Sequence, residues 1–247
     1  MNNIKIFTEE NYSELSRRSA QIIKTQLDAK PASVLGLATG STPIGTYEEL
    51  VRLYKAGELD FSQVTTFNLD EYFPIAKASD QSYVFFMRKH LFDFINIPDE
   101  KINIPNGEAT NHAAECDEYE KKIAASGIDL QLLGIGNNGH IAFNEPADYF
   151  PSVTHYVKLD DTTIKANSRF FQNENEVPRH ALTMGIKTIM QAKKILLLAS
   201  GAGKAEILCE AIFGTITPKN PASVLQLHHD VTIITDKEAG NLLIPRQ

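Results

Sequence analysis

Short, strongly apolar runs alternate along this chain with longer segments in which apolar residues recur every three or four positions. The short runs have the length and content of buried strands. They cover residues 33–39, 64–69, 130–135, 195–200 and 231–235. Residues 153–159 alternate apolar and polar side chains, as a half-buried strand does.

The helical segments have recognisable ends. Thr8 is expected to open the first helix, with acidic residues in its first turn, and Pro31 to close it. Pro43 suits the first turn of the next helix, which extends to about Gly57, because the missing N–H costs nothing there. Further helices are predicted over residues 83–95, 111–126 and 205–213, the first of them aromatic and buried.

Strands that alternate with helices predict an α/β fold, with an open, mostly parallel central sheet covered by helices on both faces. No linker, repeat or low-complexity segment interrupts residues 1–247, so we expect one domain. Ligands of such sheets bind beyond the carboxyl ends of the strands. We therefore expect the catalytic and ligand-binding residues in the loops that follow the strands.

Composition narrows the class of protein. Hydrophobic residues make up 43% and charged residues 22%, as in ordinary globular proteins. The net charge of −7 argues against nucleic acid or an anionic membrane as partner. Cys116 and Cys209 lie far apart and form neither a disulfide framework nor a zinc pattern. No signal peptide and no apolar run of membrane-spanning length occurs, so a cytoplasmic location is expected.

The most informative segment covers residues 134–146, Gly-Ile-Gly-Asn-Asn-Gly-His-Ile-Ala-Phe-Asn-Glu-Pro, directly after an apolar strand. Its glycines let the backbone turn tightly and approach a ligand. His140 can move a proton while Glu145 orients or polarises the imidazole. The alternative is a histidine that a backbone partner satisfies, without a role in catalysis.

Two strand-to-helix loops have the composition of a phosphate site. In the first, Gly40, Ser41 and Thr42 offer backbone N–H groups and hydroxyls at a helix N-terminus, where an anion is favoured. In the second, Lys204 follows a glycine turn and supplies a point charge. Ordinary helix capping explains the first loop equally well, and a solvated surface lysine explains the second.

Asp70 and Glu71 end the second predicted strand as adjacent carboxylates. Neighbouring side chains on extended backbone point in opposite directions, so we expect only one to face a pocket. Asp70 is the candidate acid or base, and Glu71 is left to orient a neighbour. Capping of a helix or simple surface exposure is the alternative.

Arg169 lies just before the very polar residues 172–176, which are too polar to bury. We therefore predict a mobile lid around residues 160–182 that carries an arginine clamp. Motifs for zinc and for calcium are missing, so no metal is needed. A GxSxG motif is missing as well, which argues against a serine hydrolase of that type.

Taken together, these loops resemble the glucosamine-6-phosphate deaminase (glucosamine-6-phosphate isomerase) family over most of the chain. The resemblance lies in the segments 40–43, 67–72, 136–146, 166–171 and 203–205. It implies a Rossmann-like three-layer α/β sandwich, without metal or organic cofactor. It also implies a cytoplasmic enzyme of amino sugar metabolism that converts glucosamine 6-phosphate and water to fructose 6-phosphate and ammonia.

The resemblance also implies a role for each candidate residue. Asp70 is the base that takes the C2 proton and returns it at C1, and His140 serves ring opening. Asn138 and Glu145 flank and orient the histidine, although some members carry aspartate at the position of Asn138. The phosphate-binding residues are expected to be Gly40, Ser41, Thr42, Arg169 and Lys204.

Two other functions are alternatives. A 6-phosphogluconolactonase shares the fold but has no use for a C2 base, and a sugar-phosphate-sensing domain would dispense with Asp70 and His140. Hexameric members carry a cationic effector site after the Asn-Glu-Pro motif, but residues 147–157 contain no Arg or Lys, and the chain stops at Gln247. We therefore expect a monomer or small homo-oligomer without that activation.

Overall fold

The computed structural model describes residues 4–168, 171, 173 and 176–243. Within them the chain forms ten strands, β1 to β10, whose bounds are Ile4–Glu9, Val34–Leu37, Thr65–Asn68, Asp70–Phe73, Ile102–Asn103, Leu130–Leu133, His155–Lys158, His180–Thr183, Ile195–Ala199 and Val231–Asp236. The eight helices, α1 to α8, are Tyr12–Ala29, Ile44–Lys55, Tyr83–His90, His112–Ser126, Asp161–Asn167, Ile186–Met190, Ala205–Phe213 and Lys237–Gly240.

Seven strands form one parallel sheet in the order β1-β10-β9-β6-β2-β3-β5. The central strands β2, β6 and β9 are buried along their whole length, as parallel strands covered on both faces must be. Helices pack on both sides of the sheet, so the predicted α/β sandwich with a mostly parallel central sheet is confirmed.

A second, smaller sheet was not expected from the sequence. It is antiparallel, with the order β4-β8-β7, and it begins at Asp70, which Leu69 alone separates from the end of β3. Residues 153–159 were predicted as a strand, and their central part forms β7 in this sheet. The small sheet has its own apolar cluster, in which Tyr72 and Phe143 pack against Ile164 of α5.

Two predictions about helices are wrong. Thr8 lies inside β1 rather than at a helix start, because β1 pairs with β10 along its full length; α1 begins at Tyr12, after the side chain of Asn11 caps it. The segment 83–95 is not a buried helix, since α3 ends at His90 and Phe85 remains 39% exposed.

No helix within the described part of the chain is long and apolar enough to cross a membrane. The two cysteines lie on α4 and α7 as unpaired thiols.

Candidate active site

Four adjacent strands of the parallel sheet bring the predicted loops together. In the order β9-β6-β2-β3, all strands run the same way, so their carboxyl ends meet at one edge. The loops that leave this edge are 200–204, 134–146, 39–43 and 69–70. They contain all the predicted site residues except Arg169.

His140 and Glu145 form a side-chain pair in the loop after β6. The distance from His140 Nδ1 to Glu145 Oε2 is 3.2 Å, and Asn138 Nδ2 donates to the same oxygen at 2.8 Å. Both side chains of the pair are largely buried, with 19% and 10% exposed. A carboxylate at Nδ1 holds the ring proton on that nitrogen, which leaves Nε2 as the nitrogen that can accept a proton.

The glycines of this loop make room for the imidazole. A Cβ at position 136 would lie 2.3 Å from His140 Cε1, so the ring lies directly against the Gly136 backbone. Gly139 has a φ of +84°, a conformation that favours glycine, and Ala142 has a φ of +52°. The loop thus has a backbone shaped around the position of the His140 ring.

Glu145 is ionised at neutral pH despite its burial. Desolvation alone would raise its pKa, but hydrogen bonds from His140, Thr163 and Asn138 outweigh that effect and lower the pKa. Thr163 belongs to α5, and its hydroxyl also lies 3.5 Å from His140 Nδ1. The buried side chain of Thr163 therefore contacts both members of the pair.

Asp70 is buried at the start of β4, with 6% of its surface exposed. Burial raises the pKa of its carboxyl well above its usual range, and the neighbouring Glu71 adds to the rise. Among the described residues, none donates a hydrogen bond to this carboxyl. Within the described residues, the Asp70 carboxyl is thus a buried group of raised pKa that is not engaged by a side-chain donor.

Glu71 points away from this position, as the alternation of side chains on a strand predicts. Its carboxylate accepts backbone N–H groups of Tyr72, Tyr83 and Val84 at 2.9–3.1 Å, so it caps the N-terminus of α3. Burial raises the pKa of Glu71 to about 7, although these bonds work in the opposite direction. Its role is structural.

The strand that carries Asp70 and the loop that carries His140 are joined through β8. Asp70 pairs with Thr183 across the β4–β8 ladder, and Thr183 Oγ1 accepts the backbone N–H of Phe143 at 3.0 Å. In the next residue, Met184, the carbonyl accepts a hydrogen bond from Asn144 Nδ2, and the N–H donates to the carbonyl of Leu69. These bonds fix the two candidate catalytic segments relative to each other.

The loop after β2 has the geometry of an anion site. Gly40 has a φ of +94°, and the loop leads into the N-terminus of α2. The Tyr12 hydroxyl accepts the N–H of Gly45 at 2.8 Å and lies 3.0–3.1 Å from the carbonyls of Ser41 and Thr42. A cavity of about 410 Å³ is lined by Tyr12, Ser41, Thr42, Ile44 and Ser200.

Lys204 ends a short 3-10 helix in the loop after β9 and donates to the carbonyl of Ile135 at 2.7 Å. This bond holds its ammonium group beside the loop that carries His140. Asp236 holds the start of the same turn, because its carboxylate accepts the Ser200 hydroxyl and the N–H of Gly201. Lys204 is thus positioned on the edge where the other loops meet.

Arg169, the other predicted phosphate ligand, lies outside the described residues, as does part of the predicted lid. Sequence reasoning missed Thr163, Thr183 and Tyr12, which support the site from α5, β8 and α1. Their hydroxyls act across 23, 40 and 33 positions of the chain, and no local pattern reports such contacts. Within the described ranges, no cluster of three or more His, Cys, Asp and Glu side chains is arranged to hold a metal ion.

Comparison with known proteins identifies the family of this chain. Residues 8–234 match the family model of glucosamine-6-phosphate isomerases/6-phosphogluconolactonase. The chain is 53% identical to the glucosamine-6-phosphate deaminase of Clostridium botulinum (strain Kyoto / Type A2) over 241 residues, covering 97% of this chain and 99% of the relative. It is 55% identical to that of Thermoanaerobacter sp. (strain X514), covering 97% of this chain and 95% of the relative.

A solved structure of a monomeric glucosamine-6-phosphate deaminase superposes with a TM-score of 0.94 at 46% identity, covering 96% of this chain and 99% of that one. The 6-phosphogluconolactonase of Trypanosoma brucei, at 22% identity and a TM-score of 0.75, shares the fold. The resemblance noted in the sequence is thereby confirmed: the chain belongs to the glucosamine-6-phosphate isomerase/6-phosphogluconolactonase family, and within it to the glucosamine-6-phosphate deaminases.

Proposed function

We propose that this protein converts glucosamine 6-phosphate and water to fructose 6-phosphate and ammonia, with Asp70 and His140 as the groups that move protons. The observation that carries the proposal is the junction at Thr183, which pairs with Asp70 and accepts a hydrogen bond from the segment that carries His140. Relatives above 50% identity named as deaminases support the same activity.

Ring opening comes first in this mechanism, because the C2 hydrogen becomes acidic only beside an open-chain carbonyl. His140 transfers the proton between the C1 hydroxyl and the ring oxygen, through Nε2. Glu145, kept ionised by its hydrogen bonds, stabilises the imidazolium that forms during the transfer. Asn138 holds Glu145 in the required orientation.

Asp70 then removes the C2 proton while the substrate's own ammonium group gives a proton to O1, which yields an enolamine, and Asp70 returns its proton to C1. The product of this step is the C2 imine, to which water adds before ammonia leaves and the ketone forms. The raised pKa of Asp70 makes it a stronger base than an exposed carboxylate. A protonated substrate amine beside it favours the ionised form that the first proton transfer requires.

The phosphate supplies binding energy that positions the sugar for these steps. Ser41 and Thr42 contribute hydroxyls and a helix N-terminus, and Lys204 contributes a positive charge on the same edge. Arg169 stays a predicted fourth ligand by its resemblance to the family. Local cations are needed because the net charge of the chain is −7.

Two assays separate the deaminase from the lactonase function that the family also contains. We expect the wild type to release ammonia from glucosamine 6-phosphate and not to accelerate hydrolysis of 6-phosphogluconolactone. Asp70→Asn should reduce ammonia release by about 10²–10⁴-fold, the usual range for a general base. Lactone hydrolysis without ammonia release would contradict the proposal, and an unchanged rate in Asp70→Asn would remove Asp70 from the mechanism.

We also propose that the protein acts as a monomer, because the solved relative at 46% identity is a monomeric deaminase. Light scattering during gel filtration should give a mass near the 27.4 kDa of one chain. A stable mass of several chains would contradict this. The cytoplasmic location stays a prediction.

A further inference from the structure

We infer that α5 is a positioning element of the active site, in which Thr163 and Asn167 connect the His140–Glu145 pair to the strand that carries Asp70. The inference rests on the proposed function, since it assigns roles relative to those catalytic groups. It concerns two side chains to which the resemblance to the deaminase family assigned no role.

At its first end, α5 contacts the histidine pair through Thr163. This hydroxyl hydrogen-bonds Glu145 and lies 3.5 Å from His140 Nδ1, while the side chain is only 4% exposed. The side-chain donors to Glu145 are therefore Thr163, Asn138 and His140. Asn138 belongs to the same loop as the pair, whereas Thr163 approaches from a different element, so it fixes the carboxylate against the rest of the fold.

At its other end, α5 contacts β4 through Asn167. Asn167 Nδ2 donates to the Tyr72 hydroxyl at 2.9 Å, and Tyr72 lies two residues after Asp70 on the same strand. Side chains two apart on a strand point to the same face. Tyr72 therefore stands beside Asp70, and Asn167 is the residue of α5 that bonds its hydroxyl.

The two contacts lie on one face of the helix, because residues four apart in an α-helix are neighbours. Between them Ile164 packs into the apolar cluster that contains Tyr72 and Phe143, whose rings are 5.8 Å apart. Phe143 follows His140 by three residues, so the cluster touches both catalytic segments. A single short helix thus contacts the segments that carry His140 and Asp70, the two groups between which the substrate must fit.

Thr163→Val tests the first contact, because valine keeps the shape of threonine and removes only its hydroxyl. We expect kcat to fall on the order of tenfold with KM changed by less than about twofold, since small misplacements of a catalytic group reduce the chemical step. Thr163→Ser should restore kcat to within about twofold of the wild type. If Thr163 had only a structural role, Thr163→Val would not lower kcat selectively over KM, and Thr163→Ser would not restore kcat.

Thr162→Val is the matched control on the same helix. Thr162 is exposed, and its hydroxyl donates to the capping carboxylate of Asp160 rather than to His140 or Glu145. The control should keep the wild-type kcat. If Thr163→Val is folded and also keeps it, the inference is wrong.

Asn167→Leu tests the second contact, and the double variant tests whether the two act as a unit. If α5 positions the His140–Glu145 pair and the Asp70 strand together, the kcat of the double variant should fall little below that of the worse single variant. Coupled residues show such non-additive losses. Losses in kcat that multiply would show two independent contacts and overturn the coupling.

A measurement without substrate separates this inference from the proposed function. The ring-nitrogen NMR signals of His140, assigned with His140→Gln, should shift in Thr163→Val and not in Thr162→Val. Unshifted signals would overturn the inference even in an active enzyme. A wild type that releases no ammonia, with shifted signals in Thr163→Val, would instead contradict the proposed function alone.

Discussion

Asp70 and Thr183 face each other across the β4–β8 ladder, and the Thr183 hydroxyl accepts the backbone N–H of Phe143 at 3.0 Å. One buried threonine thus links the strand of the candidate base, Asp70, to the loop that carries His140. The contact lies in the small antiparallel sheet rather than in the main sheet that carries the loops.

Thr183→Val should reduce both stability and activity, because it leaves the Phe143 N–H buried without an acceptor. A lost buried hydrogen bond of this kind costs about 1–3 kcal/mol in the free energy of unfolding. We expect kcat to fall as well, since the loop that carries His140 is no longer anchored. Urea unfolding and initial rates measure the two effects.

Thr188→Val is the control, because Thr188 is equally buried and donates to Glu120 away from the site. It should lose stability while the folded enzyme keeps its kcat. Equal losses of kcat in both variants would mean that stability alone, and not the anchoring of the loop, controls the rate.

Gly136→Ala should impair the enzyme without unfolding it. The added Cβ would overlap the His140 ring at 2.3–2.5 Å, and a side chain can move aside where backbone could not. The displaced imidazole should lower kcat by about 10²-fold, the cost of a shift of roughly 1 Å. Gly134→Ala is the matched control, because a Cβ there meets nothing within 4 Å. A rate for Gly136→Ala equal to that of the control would show that the ring position is not critical.

Tyr12→Phe should weaken substrate binding and leave the chemical step nearly unchanged. The variant removes the hydroxyl that bonds Gly45 and the loop carbonyls, so the anion site loses its support. The loss of about 1 kcal/mol corresponds to a roughly fivefold higher KM. Inorganic phosphate should also inhibit the variant more weakly. Tyr149→Phe, at an exposed side chain, is the control, and a fall in kcat with unchanged KM in Tyr12→Phe would refute the prediction.

Asp70→Asn should make the protein more stable above neutral pH while it loses activity. The folded state raises the pKa of Asp70, so the protonated form is favoured on folding. This contribution is fully present below the unfolded pKa near 3.8 and is lost as the pH rises through the raised folded value. Asparagine stays neutral at every pH, so the variant escapes that loss.

Thermal unfolding between pH 4 and pH 9 measures this difference. The Tm of the wild type should fall relative to that of Asp70→Asn as the pH rises. Glu71, with a pKa of about 7, contributes a loss of the same sign in both proteins between pH 4.5 and 7. Parallel Tm curves for the two proteins would contradict the raised pKa of Asp70.

The main sheet could be predicted from the sequence because its central strands are continuous apolar runs between helices. The strand β1 was missed, since its residues Ile4–Glu9 mix apolar and polar side chains and the acidic pair after Thr8 suggests a helix start. The small sheet was missed because β4 is only four residues long and begins with two acids. Its identity as a strand depends on pairing with β8, far along the chain.

The candidate site was predictable where chemistry lies in one loop, as in the pair of His140 and Glu145. It was not predictable where support comes from a distant element. Nothing around Thr163 distinguishes it from its neighbour Thr162 in sequence, yet one is buried beside the histidine and the other is exposed. Only the folded arrangement separates them.

The position of β1 also affects how the chain folds during its synthesis. In the described part of the chain, β1 lies at the sheet edge and its neighbour there is β10, the last strand to be made. Strand β10 in turn separates β1 from β9, so β1 has no strand to pair with until residues 231–236 have left the ribosome. Pairings between such distant segments form late, and the nascent protein therefore keeps an open sheet edge at least until residues 231–236 have been made.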